Sequence, residues 1–205
     1  MGFDQNSSLY TFLIGTITSL NLMHSDNILF KENNQITGKV FLVLFSMKLL
    51  EYFMWFDDKC NYGINEASNI MGSLLDNILP SIIYFLFTVK QGIFNETLTY
   101  VNAIYIFYVL YNYLTFLKED KLCTLIEPNK TIFYGWNNHF NFAIYVGIIC
   151  LNVFKFYSEK ENYIVFFAIF AILLINKMKK GKQFKFLSLF SSFIPLIVNN
   201  LQGIN

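Results

Sequence analysis

Ala67-Ser68-Asn69-Ile70-Met71-Gly72-Ser73-Leu74-Leu75-Asp76-Asn77-Ile78-Leu79-Pro80-Ser81-Ile82-Ile83-Tyr84-Phe85-Leu86-Phe87-Thr88-Val89 is apolar for most of its length, and its one charge, Asp76, stands near the middle. A helix needs about 20 such residues to cross about 30 Å of hydrocarbon. The run is too long for a strand and lacks alternation of period two, so it reads as a spanning helix.

Working outward, six further blocks meet the same pattern approximately. The seven expected spans are Leu9–Met23, Val40–Phe56, Ala67–Val89, Ile93–Leu117, Phe140–Phe156, Tyr163–Lys177 and Phe184–Leu201. Polar connections separate them. The expectation is an all-α, polytopic membrane bundle forming one domain over residues 1–205. Composition agrees: 55% of the 205 residues are hydrophobic and 14% charged, against about 45–50% and 25% in soluble domains. Mean hydropathy is +0.43. A net charge of +1 offers no field to recruit nucleic acid. The 24 Phe and 13 Tyr fit codon bias in an AT-rich genome, because lipid does not require Phe over Leu. The start Met1-Gly2-Phe3-Asp4 has an acid where a secretory signal would be basic, so the first block is expected to be retained. Asn6 stands where a myristoylation signal would have Ser or Thr.

Lysines Lys59, Lys118, Lys121, Lys130, Lys177, Lys179, Lys180, Lys182 and Lys185 collect on the side of the N-terminus, which the positive-inside rule places in the cytoplasm. Cys60 and Cys123 fall on that same side and could pair if it were lumenal. Asn129-Lys130-Thr131 on that side and Asn95-Glu96-Thr97 on the other are both glycosylation acceptors, so sequons do not arbitrate. Trp55 and Trp136 stand at span ends as interface anchors.

Ser73 to Ile83 aligns without gaps to Ser188 to Val198, with Ser, Leu, Pro and Ile in register, and Leu-Asn pairs close the first and fifth spans. These matches suggest repeat units at 9–89 and 140–201 joined by a linker helix at 93–117. On that alignment the layout is similar to the three-plus-one-plus-three arrangement of the SWEET and PQ-loop sugar transporters. The first and fifth spans lack the Pro-Gln pair of that family, and the lysine-based orientation is opposite to it.

Polar residues inside apolar blocks carry the functional reading. Lys48 and Glu51 share one face of the second span, while Asp76 and Asn77 lie on the third. A charge at the bilayer centre costs about 2.5–3.5 kcal/mol on insertion scales, so such groups find partners or line a polar path. The alternatives are a cation or solute path and a neutralised structural ion pair. Asn21, Asn102, Asn112, Asn152, Asn199 and Asn200 add amides, for which hydrogen bonds between helices are the simpler account. Pro80 and Pro195 are expected to kink their helices and free carbonyls at mid-membrane.

Asp57 and Asp58 could hold a divalent cation at a span mouth. A prenyl-diphosphate motif would need a third Asp where Asn61 stands, so solvated loop acids are the competing account. The stretch Glu51 to Asn65, with Pro80 beyond it, resembles uncharacterised multi-pass proteins of large DNA viruses and protists, over about two spans. That resemblance implies no activity. His24 and His139 are the only histidines, too few for a membrane zinc hydrolase of the ceramidase type. The last span has no interior Lys for retinal, and no P-loop or GxSxG is present.

The expected function is therefore an integral membrane transporter or channel for a small polar solute or ion, along Lys48, Glu51, Asp76, Asn77, Pro80 and Pro195. No catalytic residue is assigned and no cofactor is expected. The expected partners are the bilayer and the solute, with self-association left open. A lipid-modifying enzyme using Glu51, Asp57 and Asp58 is the first alternative, and a non-catalytic membrane scaffold is the second.

Overall fold

The computed structural model describes residues 5–25, 31–92, 94–119, 122–126, 132–133, 141–156 and 192–202. These form helices α1 (Gln5–Met23), α2 (Lys31–Phe56), α3 (Ile64–Gln91), α4 (Glu96–Phe116), α5 (Phe142–Phe156) and α6 (Ile194–Gln202). A two-stranded antiparallel ribbon, β1 (Leu125–Ile126) and β2 (Ile132–Phe133), lies between α4 and α5.

One correction concerns the membrane. Among the described residues, only Ile64–Val89 within α3 is long and apolar enough to cross a bilayer, so the expectation of about seven spans, and with it a multi-pass chain, does not stand. The reason lies in the composition of the other helices. α1 is diluted by Ser7, Ser8, Thr11, Thr16, Thr18 and Ser19, and α2 carries Lys48 and Glu51 in its apolar half. α4 holds five tyrosines with Asn102 and Asn112. α5 has 15 residues, about 22 Å at 1.5 Å per residue, too short for about 30 Å of hydrocarbon. The three-plus-one-plus-three layout depended on seven spans and is withdrawn with them. The expected span at Tyr163–Lys177 and residues 184–191 of the expected span Phe184–Leu201 lie outside the described residues, as do Asn129, Trp136 and His139. One apolar helix is weak support for membrane association, because the core helix of a soluble protein passes the same test.

α1 and α2 form a closely packed antiparallel pair, and α3 packs on α2, α4 and α5. Two glycines set the first contact. A Cβ on Gly15 would enter the Phe45 ring, and one on Gly38 would collide with Met23 and stand 2.9 Å from the Ser19 carbonyl. The main core joins Phe41, Phe45 and Leu22 of this pair to Ile83 and Phe87 of α3 and Ile149 of α5. A smaller cluster of Leu50, Met54 and Phe116 lies nearer the far end of α2.

The α2 to α3 turn shows how a helix start is satisfied at a distance. Gly63 occupies the cap position of α3 with φ 71° and has no side chain to offer. Asp57, at the end of α2, takes over: its carboxylate accepts N–H bonds from Asn61, Tyr62, Ile64 and Asn65 at 2.8–3.3 Å. The first N–H groups of a helix have no partner within it and favour an anion. Cys60 and Cys123 are joined in a disulfide with Cα atoms 6.3 Å apart. Beside it Asn65 Oδ1 accepts from both the N–H and the hydroxyl of Thr124, and Asn69 donates to the Leu122 carbonyl.

Candidate functional site

Ser73, Asn77 and Ser81 recur every four residues on α3, so one helix face carries all three, and all three are buried. That face meets α4 and α5 along a polar seam. Pro80 lies inside α3 and has no N–H to return to the carbonyl of Asp76, one turn earlier. Nearby carbonyls of this turn are taken by other helices: the Tyr105 hydroxyl of α4 donates to the Asn77 carbonyl at 2.7 Å, and Asn152 of α5 donates to the Pro80 carbonyl at 2.9 Å. Asn102 and Asn152 pair reciprocally at 2.8 and 3.0 Å, and the Ser81 hydroxyl donates to Asn102 at 3.2 Å.

Asp76 lies on this turn, half-buried. Its carboxylate acts electrostatically on the hydroxyls of Tyr105 and Tyr145, contributed by α4 and α5. Both tyrosines are buried, at 3% and 2% exposure. An acid thus lies on a proline-broken turn to which a hydroxyl of α4 and an amide of α5 are bonded. Such a group can bind a proton or a small cation through oxygen ligands, or hydrogen-bond a polar solute.

Of the residues singled out from the sequence, Asp76, Asn77 and Pro80 fall in this seam. Lys48 and Glu51 form a buried ion pair within α2, with Lys48 Nζ 3.0 Å from each Glu51 carboxylate oxygen. Pro195 departs from expectation. It is the second residue of α6, in the first turn, where a missing N–H breaks no helical bond and no kink is required. Asp57 has its oxygens engaged by backbone, and Asp58 is exposed beside it. Among the described residues no group of three or more His, Cys, Asp or Glu is placed to hold a metal.

Sequence reasoning passed over Tyr105 and Tyr145. The only signal available was their place in the same helices as Asn102 and Asn152, and 13 tyrosines in the chain obscure it. Asn102 and Asn152 show the hydrogen bonds between helices expected of them, while Asn112 turns back to the Tyr108 carbonyl of its own helix. Comparison with known protein-family models, curated proteins and solved structures finds no match.

Proposed function

We propose that the chain works at a membrane, with α3 crossing it, and that the α3–α4–α5 seam binds a small polar solute or cation and conveys it, with Asp76 as the charged group. The observation that carries this reading is the buried polar seam at the Pro80 turn, beside Asp76, where Tyr105 and Asn152 bond to α3 carbonyls of the one described helix that could span a bilayer. The outer face of α4 supports an apolar surrounding. Tyr100, Ile104, Phe107 and Tyr111 form one stripe, each about 70% exposed or close to it (69%, 70%, 73% and 73%). A contiguous apolar surface of that kind marks contact with lipid or protein.

Purified protein reconstituted into liposomes is expected to move a small cation or polar solute with a flux that depends on pH. Asp76→Asn abolishes that dependence while the helical content and melting temperature are retained. Flux with the same pH profile in the variant removes Asp76 from the mechanism.

One observation favours a second reading, the scaffold. Asn102, Asn152, Ser81 and the Pro80 carbonyl satisfy one another, which is what amides that only hold helices together do. Liposomes showing no flux of any tested ion or solute, with the protein folded, would favour the scaffold. The lipid-modifying alternative gains nothing from geometry, since Glu51 is paired with Lys48 and Asp57 caps α3.

A further inference from the structure

The end of the bundle that carries Cys60 and Cys123 is built to bring these two residues together. Cys60 has φ 57°, a left-handed conformation unfavourable for any residue with a Cβ, by about 1–2 kcal/mol. A glycine would fit there without that penalty, as Gly63 does three residues on. A cysteine in this conformation therefore needs a reason, and the bond to Cys123 supplies one. The partner segment is held independently of the sulfurs. Leu122 and Thr124, on either side of Cys123, are bound by Asn69 and Asn65 of α3, with the Asn65 Oδ1 to Thr124 bonds at 2.8 Å. The same Asn65 donates to the Met54 carbonyl at 3.0 Å, so one side chain ties α2, α3 and the segment after α4 together.

We infer that this bridge is formed in the working protein, and that the end of the bundle carrying Cys60 and Cys123 faces an oxidising compartment, a lumen or the cell exterior. Glutathione and thioredoxin keep cytosolic thiols reduced, whereas structural disulfides persist in oxidising compartments. The chemistry is thiol–disulfide exchange. Cys60 and Cys123 lose two electrons and two protons in forming the S–S bond, and a disulfide-bearing oxidant of that compartment is reduced to two thiols. This placement of Cys60 and Cys123 is opposite to the one the lysine count favours. The bridge does not depend on α3 crossing a membrane.

The experiment counts thiols in cells expressing the full chain. Cells are quenched in acid, and denatured protein is labelled with polyethylene-glycol maleimide before and after reduction. One adduct is expected before reduction, from Cys150, the free cysteine, and three after it. Cys60→Ser and Cys123→Ser should each show two adducts without reduction. Three adducts in the unreduced native chain overturn the inference. Carbonate washing of the same membranes separates the two ideas. A chain that stays with the membrane but carries three adducts sinks this inference alone, and a chain that washes off sinks the reading of α3 as a span.

Discussion

Asp57 belongs to one helix and serves the next, and that arrangement decides its titration. Burial raises its pKa, but N–H donors from Asn65, Tyr62, Asn61 and Ile64 outweigh burial and hold the carboxyl below the ordinary value of 3.8. A carboxyl whose pKa is lower folded than unfolded adds stability that is present above the unfolded pKa and lost as pH falls through the folded one. Melting temperature is therefore expected to drop as pH is taken from about 4 downward. Asp57→Asn, which removes the charge but keeps one oxygen acceptor, should melt lower at neutral pH and lose that acid-side dependence. An unchanged acid-side profile in the variant would refute the capping role. At Lys48 and Glu51 the issue is compensation. Removing one partner of a buried pair leaves a stranded charge, typically at a loss of about 3–5 kcal/mol, whereas replacing both can be neutral. Glu51→Gln is expected to lower stability more than Lys48→Met with Glu51→Gln, as read by thermal melts. Equal melting of the single variant and the native chain would show that the pair contributes nothing. Lys48 and Glu51 were legible as a pair because they stand three residues apart on one helix. Asp57 as a cap was not, since its partners lie four to eight residues on and across a turn.

Among the elements, the α1–α2 pair has the least room. Alanine at Gly38 would gain about 1 kcal/mol of helix propensity, but its Cβ would meet the Ser19 carbonyl, which cannot move without its helix. Overpacking of this kind costs about 1–3 kcal/mol. Gly38→Ala should therefore be destabilising by about 1 kcal/mol net, and a melting temperature at or above the native one would show that the pair can separate. On α3 the polar face was readable from the period of four in Ser73, Asn77 and Ser81, and Pro80 marked the turn that matters. Pro195 looked equivalent in the alignment, but the same residue breaks a helix in its interior and begins one at its first turn, and sequence alone did not say which. The six described helices lie where apolar blocks suggested helices. How far each could serve as a span was misjudged, because Tyr105, Asn102 and Ser19 sit in apolar blocks and face inward, and a block's average does not record that face.

At the level of the whole molecule, the distribution of polarity is partly reversed. Asn77, Asn102, Asn152, Ser73 and Ser19 are wholly buried, while Phe107, Ile104 and Leu114 of α4 are exposed. This reversal has a calorimetric consequence. Exposing apolar surface raises the heat capacity on unfolding and exposing polar surface lowers it, with a usual net of about 12–15 cal/mol/K per residue. A chain that hides amides and hydroxyls and already shows part of its apolar surface uncovers the wrong kind of area for a large increment. Its stability curve against temperature should be shallow, closer to a straight line than to a dome. Scanning calorimetry in a mild detergent is expected to give a per-residue increment below that usual range, and a value within it would mean that unfolding exposes an ordinary apolar core. A shallow curve also carries little penalty at low temperature, so cooling should leave this protein folded where a conventional core of the same size begins to weaken.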